Sequence, residues 1–223
     1  ATQGDPSGQI NQSLLGIDYQ YRKPLQSGGT FTVDTAFIQG SGDDQADGSF
    51  AGIATKFQND DWQALLNIRR FGEDYDPRLG FVNRTGITRY DYIIWRFWRP
   101  EVESIRQFDL GIQGSTNIEI NGRGDDRNIG VFANMAHPQG GRISLSAKSN
   151  STDLDNPFAI AGLLPVLPKL YQYGRGRFGV YSAPNKPASF SFTVECCDFY
   201  DGTQLSATTS LSYQPSAHLN FQI

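Results

Sequence analysis

The amino-acid sequence predicts an all-β protein, an antiparallel transmembrane β-barrel of about twelve strands. Apolar and polar residues alternate with a period of two along most of the chain. The 223 residues include 24 Gly, 15 Phe and 10 Tyr but 1 Met, a composition that favours strands over helices. Short and long connections also follow one another in turn between the predicted strands.

Each predicted strand has one apolar and one polar face. Leu15, Ile17 and Tyr19 alternate with small or polar residues near the start of the chain, as Phe190 and Phe192 do near its end. Many predicted strands have about 9–11 residues, the length that a tilted strand needs to cross a bilayer. A soluble β-sandwich would show the same alternation with its apolar faces inside. The alternation therefore leaves open what covers the apolar faces. The opposite faces carry the charges of Asp18, Asp34, Arg69, Asp109, Lys148 and Glu195.

The connections favour the barrel. Bacterial outer-membrane barrels have short periplasmic turns and longer extracellular loops. Aromatic residues near predicted strand ends are compatible with girdles at the two membrane interfaces: Trp95, Phe97, Trp98, Tyr171, Tyr173, Phe199 and Tyr200. Short connections are predicted at 23–29, 59–61, 99–104, 137–141, 183–187 and 215–216, and longer ones at 40–48, 72–86, 119–126, 151–170 and 198–203.

The order of the connections predicts an incomplete barrel. If the short turns are periplasmic, the first strand, near 12–22, runs from the outside to the periplasm. The last strand, 217–223, runs back to the outside. A barrel must close, because an open edge in lipid leaves backbone groups unpaired. We therefore expect residues 1–223 to form a single β-barrel domain or a fragment of one, completed by other chains or missing segments, with residues 1–11 as a flexible start.

Composition argues against several other classes. The net charge is −4 and no basic block occurs, so nucleic acid is not an expected partner. No stretch approaches the ~18 consecutive apolar residues of a membrane helix. Cys196 and Cys197 are neighbours, and side chains of adjacent strand residues point to opposite faces. We expect two small strand residues there rather than a disulfide.

Three segments carry a resemblance to a known family. They are FGEDYDPRLGFVNRTGITRY (71–90) followed by WRFWRP (95–100), NPFAIAGLLPVLPKLYQY (156–173), and ECCDFYDGTQLSATTSLSYQPSAHLNFQI (195–223). In content and order they resemble a bacterial outer-membrane β-barrel family of unknown function. Its members often carry an N-terminal family-nine-like carbohydrate-binding module. The sequence departs from the family at Cys196 and Cys197, where an aromatic residue and Gly are usual, and at Lys169 and Leu170, where Pro-Gly is usual.

The resemblance implies a location in a Gram-negative outer membrane, with outer-membrane lipid as a partner. It implies a carbohydrate role only through the module that accompanies other members, and no such module is visible in this sequence. No catalytic residue is carried over from the family.

The connection at 72–86 contains the most suggestive group of charges. Glu73, Asp74 and Asp76 have the carboxylates that a Ca²⁺ site or acid/base chemistry requires. The alternative is a shaped loop in which Arg78 and Arg84 pair with these acids. Spacing alone is weak support for a site, because loops at strand ends are commonly acidic and solvated, and we therefore favour the shaped loop.

Two other loops contain candidate sites. Asp43, Asp44 and Asp47 form the most calcium-like run, but it lacks the twelve-residue pattern and terminal Glu of an EF-hand, so an ordinary exposed acidic loop is the favoured interpretation. No cofactor other than this weak Ca²⁺ candidate is indicated. The stretch 157–170 is unusually apolar for an extracellular loop, and exposed apolar patches mark interaction sites. It either folds inward as a plug, packs against a partner, or packs on its own barrel wall, which is the interpretation we favour. Its candidate contact residues are Phe158, Leu163, Leu164 and Leu167.

No nucleophile elbow, phosphate loop or paired-cysteine zinc motif occurs in the sequence, which favours a non-enzymatic role. The expected function is passive passage, or surface presentation and binding, of a small or oligomeric solute, with carbohydrate as a candidate. Two alternatives stay open: a soluble β-sandwich or lectin-like binding module, and an outer-membrane glycan hydrolase that uses loop carboxylates.

Overall fold

The computed structural model describes residues 2–3, 12–26, 28–42, 45–76, 82–122, 125–157, 159, 165–216 and 219–222. Every regular element in these residues is a β-strand, as the alternation predicts. The strands are β1 (Thr2–Gln3), β2 (Gln12–Pro24), β3 (Thr30–Gly42), β4 (Gln45–Gln58), β5 (Trp62–Phe71), β6 (Ile87–Trp98), β7 (Gln107–Glu119), β8 (Asp125–Ala136), β9 (Arg142–Asp153), β10 (Leu170–Tyr181), β11 (Ala188–Phe199), β12 (Gly202–Ser216) and β13 (Leu219–Gln222).

The strands pair in chain order in one sheet, which runs from β1 at one edge to β13 at the other. The pairings from β1 to β5 and from β9 to β13 are antiparallel. The all-β antiparallel prediction is thus confirmed. Among the described residues no pairing joins β13 to β1, so the sheet is not closed into a barrel. The described residues contain no helix long and apolar enough to span a membrane.

The chain divides into two compact units. The first unit comprises Ala1–Ile93 and Ser115–Arg127, and the second comprises Ile94–Gly114 and Asn128–Ile223. The expectation of a single domain that begins with a flexible 1–11 stays a prediction. Residues 1 and 4–11 lie outside the described residues.

Register separates an apolar from a polar face in the first unit. Successive residues of a strand point to opposite faces, so each row of paired residues belongs to one face. One row contains Tyr19, Thr35, Ile53 and Ile68, and the neighbouring row contains Gln20, Asp34, Ala54 and Asn67.

The second unit has the same two kinds of row. The first kind places aliphatic and aromatic side chains beside one another, and the second collects charges and hydroxyls. An apolar row contains Leu145, Phe178, Val194 and Ala207, and its polar neighbour contains Ser146, Arg177, Glu195 and Ser206.

The apolar faces are exposed rather than covered. Leu205 is 77% exposed, Ile17 71% and Leu145 58%. The buried hydrophobic residues among those described are Tyr75, Ile87, Tyr171 and Ala183, which lie in connections or at strand ends. Within the described residues, the sheet therefore has no conventional hydrophobic core on its apolar faces.

The prediction of long connections was wrong in three places. β3 continues to Gly42 and β4 begins at Gln45, so only 43–44 remain of the predicted loop at 40–48. β11 and β12 leave only Tyr200 and Asp201 between them. At 119–126 the strands likewise extend to Glu119 and resume at Asp125. Backbone pairing needs no alternation of side chains, so strands continue through polar, glycine-rich sequence where the pattern fades. Long connections do follow β5, at 72–86, and β9, at 154–169.

The expectation for the two cysteines was also wrong, because Cys196 and Cys197 form a disulfide. Cys197 has a φ of 107°, which interrupts the regular strand alternation that would separate the two sulfur atoms. Both sulfur atoms lie near Gly176 of the paired strand, where a Cβ would be 3.4 Å from one and 3.7 Å from the other.

Most of the aromatic residues proposed as girdles do not lie on an apolar face. Trp95 packs against Phe132, with ring centroids 6.3 Å apart, and the Phe132 ring and the Cβ of Trp95 both approach Gly111 on the polar side of the second unit. Tyr173 shares the face of Arg175 because the two are two residues apart in one strand. Trp98 differs, because it contacts Phe108 beside the exposed Leu110.

Candidate functional site

The connection at 72–86 is anchored to the end of the β4–β5 hairpin. Tyr75 is 6% exposed and its ring lies 6.0 Å from Phe50 and 6.3 Å from Phe71. Burial raises the pKa of the Tyr75 hydroxyl. Gly72 and Gly86 are joined through a backbone hydrogen bond of 3.1 Å that closes the loop at its base. These contacts support the shaped-loop interpretation of the sequence.

Gly48 permits this anchoring, because the backbone of the loop passes directly over it. A Cβ at residue 48 would lie 2.5 Å from the Cα of Tyr75. We expect Gly48→Ala to lower the free energy of unfolding by about 1–3 kcal/mol, since backbone would have to move. Gly16→Ala is the matched control, because its Cβ would meet Ile38 at an ordinary 3.4 Å. Denaturant unfolding of both variants measures the difference, and equal costs would contradict the close approach.

The candidate carboxylates of this loop lie at least partly at its surface. Glu73 and Asp74 are exposed, and Asp76 is partly exposed. Arg78 lies outside the described residues. The described part of the chain contains no group of three or more acidic, His or Cys side chains arranged to hold a metal ion.

The expected pairing of Arg84 with the acids of its own loop was wrong. Arg84 instead bridges two strands, with one nitrogen on Glu119 at the end of β7 and another 2.7 Å from Asp126 in β8. Burial alone would lower the pKa of Arg84. The hydrogen bond to Glu119 and the charge of Asp126 outweigh burial and raise that pKa. Arg84 therefore fastens the far end of the loop to the sheet.

The other loop candidates fall largely outside the described residues. Of the calcium candidates, Asp43 and Asp44 lie outside the described residues, and Asp47 is exposed near the start of β4. Three residues of the interaction-loop candidate also lie outside the described residues: Phe158, Leu163 and Leu164. Leu167 is 61% exposed, and its carbonyl accepts a hydrogen bond of 2.7 Å from the Tyr171 hydroxyl. The calcium and interaction-loop hypotheses stay predictions.

The polar face of the first unit carries charges that are largely matched. The Gln20 amide donates to Asp34 over 2.6 Å, and Arg69 and Arg89 both pair with Asp91, at 2.6 Å and 2.9 Å. Side chains held in this way are a polar lining with little net charge. The arrangement presents hydrogen-bond donors and acceptors with little net charge.

The polar face of the second unit contains a different arrangement, a recess of about 530 Å³. Basic, hydroxyl and aromatic side chains from β7–β11 converge on it. We call it the basic recess. The sequence pattern placed Lys148 on a polar face but did not single out Arg142, Arg175 or Arg177. The available signal was the run YGRGRFG (173–179), in which two arginines alternate with glycines. The lining includes Phe132, Arg142, Lys148, Arg175, Arg177, Tyr181 and Glu195.

Comparison with models of known families, with curated proteins and with solved structures finds no match to this chain.

Proposed function

We propose that this chain forms part of a Gram-negative outer-membrane β-barrel that lets a solute pass without energy coupling. The observation that carries the proposal is the exposed apolar face in each unit. A water-exposed surface of this kind costs about 25 cal/mol for each Å² of apolar area. Lipid acyl chains would remove that cost along every strand.

The polar faces support the same proposal. In a barrel, residues that face the lumen alternate with residues that face lipid. Matched charges such as Arg69 and Asp91 then line the lumen, where water reaches them. Consecutive antiparallel pairing is also the topology that outer-membrane barrels use. Closure would require a partner for the outer edges of the sheet.

A soluble binding module is the main alternative. A β-sandwich buries the apolar face of one sheet against that of another. The described strands belong to one sheet, and large side chains such as Leu205 and Ile17 stay exposed on it. The sandwich therefore lacks its central feature in the described residues. An outer-membrane hydrolase is less favoured because Glu73 and Asp74 are exposed and form no described constellation.

Fluorescence quenching by brominated lipid tests the membrane assignment. We expect brominated acyl chains to quench a protein that retains only Trp98, which lies beside Phe108 on the apolar side. A protein that retains only Trp95 is the matched control, because Trp95 packs on Phe132 at the polar side. The other tryptophans are replaced by Phe in each variant.

We expect several-fold stronger quenching for Trp98 than for Trp95, because the bromine atoms stay within the acyl region that apolar faces contact. Equal quenching of both proteins would refute the assignment. A monodisperse protein without detergent, with the same gel migration before and after heating, would refute it independently.

A further inference from the structure

The basic recess has an excess of positive charge, whereas the chain as a whole is negatively charged. The chain has a net charge of −4. Among the residues lining the recess, Arg142, Lys148, Arg175 and Arg177 are basic and Glu195 is acidic. Charges collected on one concave surface attract ions of the opposite sign more strongly than scattered charges do. The excess of cations therefore predicts an anionic occupant.

The single carboxylate is shared between two of these cations. Glu195 lies 3.3 Å from Arg175 and 3.5 Å from Arg177, one of its oxygens facing each guanidinium. Arg142 lies over the ring of Tyr181, 4.5 Å from its centroid. Glu195 therefore compensates less than half of the positive charge in the recess.

Lys148 is the cation of the basic recess whose position is least explained by neighbouring charges. It stands directly opposite Arg175 in the β9–β10 register, on the same face. Like charges directly opposite each other destabilise a sheet. Lys148 has no ion pair with any described residue. Arg175 has Glu195 as a partner, whereas the Lys148 ammonium has none among the described residues, and an arrangement that costs stability in this way is expected at functional sites.

The neighbouring strand holds Lys148 in this position. Gly130 of β8 is buried, and a Cβ there would lie 2.6 Å from Cγ of Lys148. The absence of a side chain at residue 130 thus makes space for the stem of Lys148. Arg175 is held by Glu195 and by a 3.0 Å hydrogen bond to Gln204. Both cations are positioned by the sheet itself.

From this geometry we infer that the basic recess binds a small solute carrying an oxyanion group, with Lys148 and Arg175 as its principal contacts. A carboxylate, sulfate or phosphate matches the planar donors of a guanidinium and the point charge of an ammonium. Phe132 and Tyr181 provide the apolar surfaces for the remainder of the solute. A role of the basic recess in selecting the solutes that pass rests on the proposed function. Binding of an anion in the recess requires only the folded chain.

The test uses inorganic phosphate and gluconate as probes, and Lys148→Glu as the variant. We expect Lys148→Glu to weaken binding of both probes to the detergent-solubilised protein about tenfold or more, because a charge-assisted contact becomes a repulsion. We also expect a higher unfolding midpoint, since the introduced carboxylate would stand opposite the Arg175 guanidinium and replace a repulsion by an attraction. Glucose, which has no charge, measures contributions unrelated to the anion.

Lys56→Glu is the matched control. Lys56 lies on the polar face of the first unit, in the same face as Asp34 and Arg69, and the charge change is identical. Isothermal titration should show unchanged phosphate binding for this variant. Equal losses in Lys56→Glu and Lys148→Glu, or no loss in either, would overturn the inference.

Planar-bilayer recordings in a KCl gradient separate this inference from the proposed function. A wild-type preference for chloride that falls in Lys148→Glu and persists in Lys56→Glu supports both. Phosphate binding that depends on Lys148 without any conductance supports the site and counts against passage. If the protein conducts ions but neither its ion preference nor its phosphate binding changes in Lys148→Glu, the pore is supported and the anion site is overturned.

Discussion

Ile53→Arg is expected to lower the free energy of unfolding of the vesicle-inserted protein by about 2–4 kcal/mol, the cost that the proposed barrel assigns to a basic side chain at its lipid-facing midplane. Ile53 lies in the interior of β4 and is 40% exposed. Its row partners are Thr35 and Ile68, neither of which offers a counter-charge. Urea titration of the vesicle-inserted protein measures this loss.

Ala54→Arg is the matched control in the same strand. Residue 54 belongs to the opposite face, where Asp34 and Asn67 are its row partners. A recess of about 340 Å³ on that face gives an arginine room. We expect a change within about 1 kcal/mol, since a solvated carboxylate is within reach. Equal costs at 53 and 54 would contradict a lipid-facing and a water-facing side.

Arg84→Met is expected to lower the free energy of unfolding by about 1–3 kcal/mol, because Glu119 and Asp126 would lose their shared cation. The side chains of Glu119 and Asp126 are 16% and 31% exposed, so solvent replaces only part of the interaction. One oxygen of Asp126 is already buried without a hydrogen-bond partner. Loss of Arg84 would leave this carboxylate group still less satisfied.

Removal of all three charges distinguishes an ion-pair effect from a loss of packing. We expect the triple variant Arg84→Met, Glu119→Gln, Asp126→Asn to recover at least half of the stability lost in Arg84→Met. Denaturant unfolding of the single and triple variants provides the comparison. A triple variant less stable than Arg84→Met would show that Arg84 stabilises the loop through packing instead.

Side-chain alternation predicted the strands well but their ends poorly. It located the hairpin of β3 and β4 correctly, but it ended β3 too early and began β4 too late around residues 40–48. Two neighbouring strands continue as long as their backbones can stay hydrogen-bonded to each other, and glycine and aspartate residues do not prevent this. In the long connection at 72–86, the contacts of Tyr75 and Arg84 hold the chain away from strand pairing.

The candidate site was predicted less completely than the fold. The sequence identified the loop of Glu73 and Arg84 as distinctive but paired its arginine with the wrong acids. The partners Glu119 and Asp126 are separated from Arg84 by 35 and 42 positions in the chain. The basic recess escaped notice because its cations come from β9 and β10, and only the register places Lys148 opposite Arg175.

The strand class and the division of each strand into an apolar and a polar face can be read from the amino-acid sequence, because both follow from a period of two. The sequence also predicted a shaped loop at 72–86. The three-dimensional structure was needed to establish which rows of residues are neighbours and which arginine pairs with which acid. It was also needed to show that the apolar faces are exposed and that cations accumulate on one polar surface. Those features depend on register between strands, and register joins residues whose spacing along the chain carries no local pattern.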